Sequence, residues 1–479
     1  MDGDQPQSLV LDVFGQSPSL QIYTQLCFCF ALPDHDREPS DTEAVVVRTL
    51  SEALQRLTTS FPWLAGQVVN ENSGPGDTGV FIIKPSNKPP GLVVRDLRMN
   101  SSADPKDTRD SSGASVPTMA SLRRAHFPFT LLDETLIAPR NTIPGTYGES
   151  DISVSSVFLV QATFIEGGLI LTFVAQHATM DMIGQGHIIR LFDKACRKQD
   201  FTDEELAAGN IARQNIVPLL DDSCEPGAEV AHQIVAAKPT PDTVSDTPPA
   251  PPSPPPSSWA YFTFSPTELA ALKFLAMKTL PSSSSFVSTD DALTAFVWQS
   301  IARARLPRLS PTTTLTLGRA IDPRAYLDIP STYPGVVQNM TYHRYTAQQL
   351  AGAPLGHVAA HLRSALDSSN FRFQTQAFAT LLDRTKDKNS VSVSATLDLS
   401  TDIMLSSWAK VDCCGLDFGL GLGTAEAVRR PRFVPVESLG YLMPKGRDGG
   451  IAVGVCLREG DMERLKGGKE FRKHAVYVG

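Results

Sequence analysis

Residues 168–196 read GLILTFVAQHATMDMIGQGHIIRLFDKAC, and this stretch decides the fold class. Its first part, Leu169 to Ala175, is an unbroken apolar run that follows two glycines, which is typical of a buried strand. From Asp181 to Cys196 the apolar residues recur at helical spacing instead. A buried strand that leads directly into an amphipathic helix is typical of an α/β protein.

The same mixture of helix and strand signals continues on both sides of this stretch. Apolar spacing, capping residues and the positions of proline predict the other elements. These are helices at 41–61, 266–277 and 289–303, and strands at 313–321 and 450–457. The sequence therefore predicts an α/β architecture in two comparable halves.

A proline-rich segment divides the chain nearly in the middle. Residues 238–258 read KPTPDTVSDTPPAPPSPPPSS. Proline fixes φ and lacks an N–H donor, so such a run joins neither a helix nor a sheet. We expect a linker at 233–258 between a domain at 1–232 and a domain at 259–479. A docking sequence for a proline-binding module is the less favoured alternative.

Composition narrows the class of protein. A chain of 479 residues with a net charge of −8 does not have the basic character of a nucleic-acid binder. Its beginning lacks the pattern of a signal peptide, and no apolar run is long enough to cross a membrane. Seven scattered cysteines do not suggest a disulfide framework. We expect a reduced, cytoplasmic protein.

His177 is the strongest candidate for chemistry. It follows the predicted buried strand and precedes the predicted helix, and strand ends are where α/β proteins place their sites. Histidine is also the side chain best suited to take a proton near neutral pH. Asp181 lies four residues further on and could face the same side of a first helical turn. The alternative interpretation is a buried histidine that is hydrogen-bonded to Asp181.

Two other patterns point less clearly to a site. His357 and His361 have the i, i+4 spacing of metal ligands on a helix, but no glutamate or cysteine nearby completes a site, so no metal is expected. Gly421-Leu422-Gly423 does not complete the G-x-G-x-x-G spacing of a dinucleotide loop. These glycines are better explained by tight turns and close packing.

Two short motifs carry a family resemblance. HATMD at 177–181 and DFGLG at 417–421 occur in this order and far apart. They resemble the HxxxD and DFGWG motifs of the BAHD family of CoA-dependent acyltransferases, and within it the fungal trichothecene 3-O-acetyltransferases. Further similar stretches lie at 54–67, 286–298 and 404–411, so the resemblance covers nearly the whole chain except the linker.

Two positions depart from the general family pattern. Met182 stands where the family often has glycine, and Leu420 stands where it has tryptophan. Both are similar to the trichothecene subgroup.

The resemblance implies two similar chloramphenicol-acetyltransferase-like domains, each a mixed β-sheet with helices, with a tunnel between them. It implies transfer of an acetyl group from acetyl-CoA to a hydroxyl of a sesquiterpenoid mycotoxin, with His177 as the general base. By the same analogy Asp181 is structural and pairs with Arg324. Ser406 and Trp408 match positions that face the acceptor. Asp417, Gly419 and Gly421 match structural positions remote from the chemistry.

The resemblance does not assign the residues that bind the CoA phosphates, nor the acceptor. Lys410, Arg429, Arg430 and Arg432 are candidates for the CoA phosphates, although an exposed loop explains them equally well. The acceptor could instead be another fungal secondary-metabolite alcohol or amine, and a catalytically silent binding protein is a further alternative. The expected partners are small molecules only, and the expected state is a monomer.

Overall fold

The computed structural model describes residues 8–33, 41–86, 90–98, 116–149, 153–236 and 255–479. The described residues before the proline-rich segment are called the first half below, and those after it the second half. Residues 237–254, which form most of the predicted linker, lie outside the described residues. The predicted linker also extended too far, because Ser257 and Ser258 already pair with Arg458 and Leu457 in a sheet.

The first half contains eight strands and five helices within the described residues. The strands are β1 (Leu9–Val10), β2 (Tyr23–Ala31), β3 (Gln67–Glu71), β4 (Val80–Lys84), β5 (Val93–Asp96), β6 (Ser155–Ser156), β7 (Phe158–Ile165) and β8 (Gly168–Gln176). The helices are α1 (Asp41–Ser60), α2 (Met119–Arg124), α3 (Glu134–Ile137), α4 (Met182–Cys196) and α5 (Asp203–Gly209).

The second half contains eight further strands and seven helices. The strands are β9 (Ser257–Phe264), β10 (Thr314–Ile321), β11 (Asn339–Thr346), β12 (Ile403–Ser407), β13 (Ala427–Arg429), β14 (Leu439–Leu442), β15 (Ile451–Arg458) and β16 (Val476–Tyr477). The helices are α6 (Pro266–Lys278), α7 (Thr289–Arg305), α8 (Ala347–Gly352), α9 (Leu355–Ser364), α10 (Ser368–Arg384), α11 (Glu459–Gly467) and α12 (Lys469–His474).

Three sheets organise these strands. A five-stranded sheet has the order β13-β2-β8-β7-β5, and a seven-stranded sheet has the order β11-β10-β12-β14-β15-β9-β16. Both are mixed, since β5 runs parallel to β7, and β12 runs parallel to β10 and β14, while their other pairings are antiparallel. A smaller sheet has the order β1-β4-β3-β6.

The strand that precedes His177 is buried on both faces. Every residue of β8 is buried, because β2 and β7 flank it and helices pack on the sheet. Helix α1 contributes Val46, Leu50 and Leu57 to this core, and α4 contributes Ile188 and Phe192. The apolar run of β8 therefore reflects double-sided burial, and it fixes the position of the loop that follows.

Capping side chains fix where the central helices begin. Ser288 and Asp291 form a capping box at the start of α7, as its sequence predicts. Asp181 caps α4 by accepting a hydrogen bond from the Gly184 N–H. Helix α1 ends at Ser60, just before Pro62 starts a 3-10 turn.

The two halves share one sheet. Strand β13 belongs to the second half by sequence, yet it pairs with β2, with Ala427 opposite Cys29 and Arg429 opposite Cys27. Almost four hundred residues separate these partners, so no local pattern predicts the pairing. The second half is thereby attached to the sheet that carries His177.

Candidate active site

The loop from His177 to Asp181 is a tight turn between β8 and α4. The N–H and the hydroxyl of Thr179 both donate to the Gln176 carbonyl, at 3.0 and 2.7 Å. The backbone N–H of His177 donates to the Ile22 carbonyl at 2.8 Å. A rigid sheet and a capped helix therefore hold both ends of the loop.

The His177 ring is partly buried and oriented by its own loop. Its Nδ1 lies 3.3 Å from the Met180 carbonyl oxygen. A carbonyl only accepts, so this contact assigns the proton to Nδ1 and leaves a lone pair on Nε2. Burial lowers the pKa of His177, although the Met180 contact and the charge of Asp181 act in the opposite direction. The geometry thus presents a neutral imidazole with a free basic nitrogen.

Asp181 does not hold the His177 ring, contrary to one interpretation of the sequence. Its backbone is extended, so the helical turn has not begun at this residue. One carboxylate oxygen caps α4, and the other accepts from Arg324 Nη2 at 2.8 Å and from the Val337 N–H at 2.9 Å. Burial raises the pKa of Asp181, with the charge of Arg324 as the main opposing influence.

Arg324 is 1% exposed and forms the ion pair with Asp181 that the resemblance implies. It lies on a 3-10 turn, Arg324–Tyr326, just after β10. Its guanidinium also donates to the carbonyls of Tyr333 and Gly335, at 3.2 and 2.7 Å, and to Asp322 at 2.9 Å. One buried cation therefore fastens the start of α4 to a loop of the second half.

Close packing leaves no room for a side chain at the start of α4. A Cβ placed on Gly184 would lie 2.0 Å from the Pro334 carbonyl oxygen. The loop that receives the Asp181 contacts therefore lies directly on the helix backbone.

A cavity of about 860 Å³ lies between the start of α4 and the second half. Asp181, Ser406 and Trp408 all line it. The indole Nε1 of Trp408 donates to the Ser406 hydroxyl oxygen at 3.1 Å, which leaves the hydroxyl proton of Ser406 available to a ligand. A cavity of this size, lined by both apolar and polar side chains, suits a small-molecule site.

Cationic side chains surround this cavity. Lys273, Lys410 and Lys445 line it and form no ion pair within the described ranges, whereas Arg363 is paired with Asp291. Lys273 and Arg363 both lie over the ring of Phe286, a lining residue that is 51% exposed. The cavity can therefore accept an anionic ligand that carries a flat ring.

Of the cations expected to bind phosphate, the structure places only Lys410 among the residues that line this cavity. Arg430 is 1% exposed and packs among Trp408, Phe433 and Tyr441. Arg432 forms an ion pair with Asp133. The arginines are candidates because they cluster in sequence, but the turn after β13 directs Arg430 into the protein, and Arg429 lines a second cavity of about 810 Å³ instead. Lys273 and Lys445 also line the cavity, and no local sequence pattern connects residues so far apart.

The DFGLG segment lies at the far end of α4. The Asp417 carboxylate accepts from Arg197 and from the Gly419 N–H, and the Phe418 N–H donates to Asp193 at 2.7 Å. The Phe418 ring is fully buried among Phe28, Phe30, Phe173 and Phe192. Since α4 has 15 residues, roughly 20 Å of helix separates this segment from His177.

Gly419, Leu420 and Gly421 form the rest of the DFGLG segment. Leu420 is buried, in the position where the family motif has tryptophan. Gly419 and Gly421 both have positive φ, 58° and 74°, as a tight turn there requires.

The part of the chain that the structure describes contains no metal cluster, no disulfide and no membrane-spanning helix. No cluster of three or more histidine, cysteine or carboxylate side chains is arranged to hold a metal. All seven cysteines lie in described segments and are free thiols. Among the described helices, none is both long and apolar enough to cross a membrane.

Comparison with known proteins identifies similar chains. A family model described as the trichothecene 3-O-acetyltransferase-like N-terminal domain matches residues 22–196, and one described as the transferase family matches residues 140–472. An O-acetyltransferase of Cryptosporiopsis sp. is 51% identical, over 98% of this chain and 97% of its own length. Trichothecene 3-O-acetyltransferase TRI101 of Fusarium sporotrichioides is 48% identical, over 98% and 97%.

Solved structures give the same result. The crystal structure of F. graminearum TRI101 complexed with coenzyme A and deoxynivalenol has a TM-score of 0.89 and 45% identity, covering 99% of this chain and all 100% of that one. The F. sporotrichioides TRI101 complex with coenzyme A and T-2 has a TM-score of 0.87 and 46% identity, with the same 99% and 100% coverage. These likenesses confirm the predicted fold class and the predicted family resemblance.

Proposed function

The chain belongs to the BAHD transferase family and to its trichothecene 3-O-acetyltransferase-like members, and we propose that it acetylates the 3-hydroxyl of a trichothecene. Acetyl-CoA is the acetyl donor. The observation that carries this proposal is a neutral histidine with a free Nε2 at one end of a loop whose other end, Asp181, lines a cavity that suits a thioester ligand, although His177 itself is not among the lining residues.

His177 acts as the general base in this proposal. Its Nε2 takes the proton from the acceptor hydroxyl while the hydroxyl oxygen attacks the thioester carbon. The tetrahedral intermediate then collapses, the carbon–sulfur bond breaks, and the proton passes from His177 to the CoA thiolate. The products are the acetate ester and free CoA, and no acyl-enzyme is required.

The 860 Å³ cavity is the proposed site of acetyl-CoA. Lys273, Lys410 and Lys445 supply positive charge for its phosphates, and the exposed Phe286 ring offers a surface for its adenine. Ser406 and Trp408 are the proposed substrate-binding residues, with the Ser406 hydroxyl donating to an oxygen of the reacting group.

The remaining motif residues have structural roles in this proposal. Asp181 and Arg324 hold the histidine loop, and Asp417, Gly419 and Gly421 fasten the second half to α4. No metal takes part. We also propose that the protein is a cytoplasmic monomer that binds neither nucleic acid nor membrane.

A second acceptor class is favoured by one specific observation. The 51% identical relative is named only an O-acetyltransferase, without a trichothecene substrate. The alternative is therefore the same chemistry on another fungal secondary-metabolite alcohol or amine.

The test is product mass spectrometry. Purified protein is mixed with acetyl-CoA and a trichothecene that has a free 3-hydroxyl, alongside the variant His177→Ala. Acetylated toxin from the wild type only would support both the reaction and the base. If the wild type leaves this toxin unmodified but acetylates another alcohol, the trichothecene assignment is wrong. Equal product from the variant would contradict the role of His177.

A further inference from the structure

A buried arginine outside both family motifs contacts the histidine loop. Arg213 Nη1 donates to the Thr179 carbonyl oxygen at 2.5 Å. Arg213 is 2% exposed, and its guanidinium lies 4.3 Å from the centre of the Trp63 ring. A cationic donor of this kind restrains the peptide plane of Thr179. Thr179 lies in the chain between His177 and Met180, whose carbonyl oxygen orients the His177 ring.

A buried carboxylate continues from this arginine into the second half. Asp12 is 1% exposed, and its Oδ2 lies 3.7 Å from Arg213 Nη1. The same oxygen accepts from the Tyr333 hydroxyl and from the Val336 N–H, each at 2.9 Å. Asp12 therefore connects Arg213 to the loop that also receives Asp181.

The two carboxylates bind adjacent residues of that loop. Asp12 accepts from the Val336 N–H, and Asp181 accepts from the Val337 N–H. Arg213 in turn binds Thr179, two residues before Asp181 in the chain. Two routes of contacts, through Asp12 and through Asp181, therefore connect the histidine loop to the same loop of the second half.

The N-terminal segment completes the enclosure of the histidine loop. The Gly15 N–H donates to Asp12 Oδ1 at 2.9 Å. A Cβ on Gly15 would lie 2.3 Å from the Ala178 carbonyl oxygen, so this backbone rests against the loop itself.

Stability alone does not explain a buried ion pair. Desolvation of two charges usually cancels their attraction, and apolar side chains often serve equally well at such positions. Asp12 accepts three hydrogen bonds, while Arg213 donates one through Nη1 and its buried Nη2 has no hydrogen-bond partner among the described residues. What these directed hydrogen bonds add is a fixed geometry. Here the geometry that they fix is that of the loop between His177 and Asp181.

We propose that Asp12 and Arg213 are positioning residues for the acyl transfer, which hold the Thr179 peptide and thereby set the direction of the His177 ring. This inference rests on the proposed role of His177 as the base. It assigns Asp12 and Arg213 no contact with either substrate.

The experiment compares three variants with a matched control. Arg213→Met removes the hydrogen bond to Thr179, Arg213→Lys can retain one donor, and Asp12→Asn removes the negative charge. The control is Arg305→Met. Arg305 is likewise 1% exposed, lies 3.5 Å from Asp461 and donates to the carbonyls of Thr401 and Asp402, away from the histidine loop.

Steady-state kinetics on folded protein give the first readout. We expect Arg213→Met to lower kcat up to about 100-fold, the scale of a small misplacement of a reacting group, with KM for acetyl-CoA unchanged. Arg213→Lys should recover part of this loss, and Asp12→Asn should lower kcat less than Arg213→Met. Arg305→Met should lose thermal stability while retaining kcat. A folded Arg213→Met with kcat within twofold of the wild type would overturn the proposal.

Ring NMR gives a second readout that does not depend on the acceptor. In ¹⁵N-histidine-labelled wild type, the His177 signal, assigned by its loss in His177→Ala, should show the proton on Nδ1. Arg213→Lys and Asp12→Asn should shift it towards a mixture of tautomers, and Arg305→Met should not. An unchanged signal in both variants would refute the proposal even if no toxin is acetylated. A wild type that acetylates nothing but shows the expected shifts would instead refute only the proposed function.

Discussion

Asp181 Oδ2 lies 2.8 Å from Arg324 Nη2, and this ion pair joins the start of α4 to the second half of the protein. The aspartate of the HATMD motif is therefore directed away from the histidine of the same motif. Its carboxylate accepts three hydrogen bonds, from Gly184, Arg324 and Val337, and it acts on His177 only through its charge. The motif thus combines the proposed base, His177, with a residue that joins the two halves.

We expect Asp181→Asn to lose activity together with stability. Removing one partner leaves the buried Arg324 guanidinium without its full compensation, which typically costs about 3–5 kcal/mol. Chemical denaturation and kcat should both be measured. A variant that is as stable as the wild type but inactive would contradict a structural role and point to Asp181 as a participant in the chemistry.

The pH profile should identify His177 as the base. Because burial lowers the pKa of His177 below its ordinary value of 6.5, more than half of the imidazole is neutral at pH 6.5. We expect the acidic limb of the kcat/KM profile to be centred below that pH. His177→Ala should reduce kcat by about 10²- to 10⁴-fold.

His357→Ala is a suitable control for this experiment, since His357 is an exposed histidine on α9. It should leave the rate and the profile unchanged. An acidic limb centred above pH 6.5 in the wild type would contradict the assignment of the base.

The local elements of the fold could be predicted from the sequence because their signals are local. Apolar spacing and caps within 168–196 and 289–303 predict β8, α4 and α7 close to their observed bounds. The pairing of Asp181 with Arg324 was implied by the family resemblance, since no spacing rule connects residues 143 positions apart.

Long-range contacts explain what the sequence did not predict. Strand β13 joins the first half's sheet, and its exit turn directs Arg430 into an aromatic cluster instead of a phosphate site. Asp12 and Arg213 belong to no recognisable motif, because their proposed role depends on contacts with Thr179 and Val336 that exist only in the folded chain. Likewise, the three lysines that line the cavity, Lys273, Lys410 and Lys445, lie far apart in the sequence.

Charge reversal at the cavity should weaken acetyl-CoA binding. Lys410 and Lys445 are exposed, line the cavity and form no ion pair among the described residues. Each change to glutamate should raise KM for acetyl-CoA about fivefold, corresponding to roughly 1 kcal/mol. Added salt should reduce the difference from the wild type, because it screens exposed charges.

Lys469→Glu provides the control for these variants. Lys469 is an exposed lysine at the start of α12 and is not among the residues that line the cavity. Its KM for acetyl-CoA should equal that of the wild type. A similar rise in KM for all three variants would show a general effect of net charge and contradict a specific phosphate site.

Glu134 should make the protein less stable as the pH rises. Burial raises the pKa of Glu134 from 4.5 to about 7, although hydrogen bonds from Thr142 and Gln25 and the charge of Arg430 favour the ionised form. The folded protein therefore binds a proton that the unfolded chain releases above pH 4.5. The stability from this group is present below pH 4.5, declines between 4.5 and about 7, and is absent above that range.

We expect Glu134→Gln to remove this dependence while keeping an oxygen that accepts from Thr142 and Gln25. Relative to the wild type, its free energy of unfolding should rise between pH 4.5 and 7 and level off on the order of 3 kcal/mol higher. Denaturant unfolding at a series of pH values measures this difference. Glu166→Gln is the control and should give a flat difference, because Glu166 is exposed and forms no ion pair among the described residues. A flat difference for Glu134→Gln as well would mean that Glu134 is ionised in the folded protein across this range.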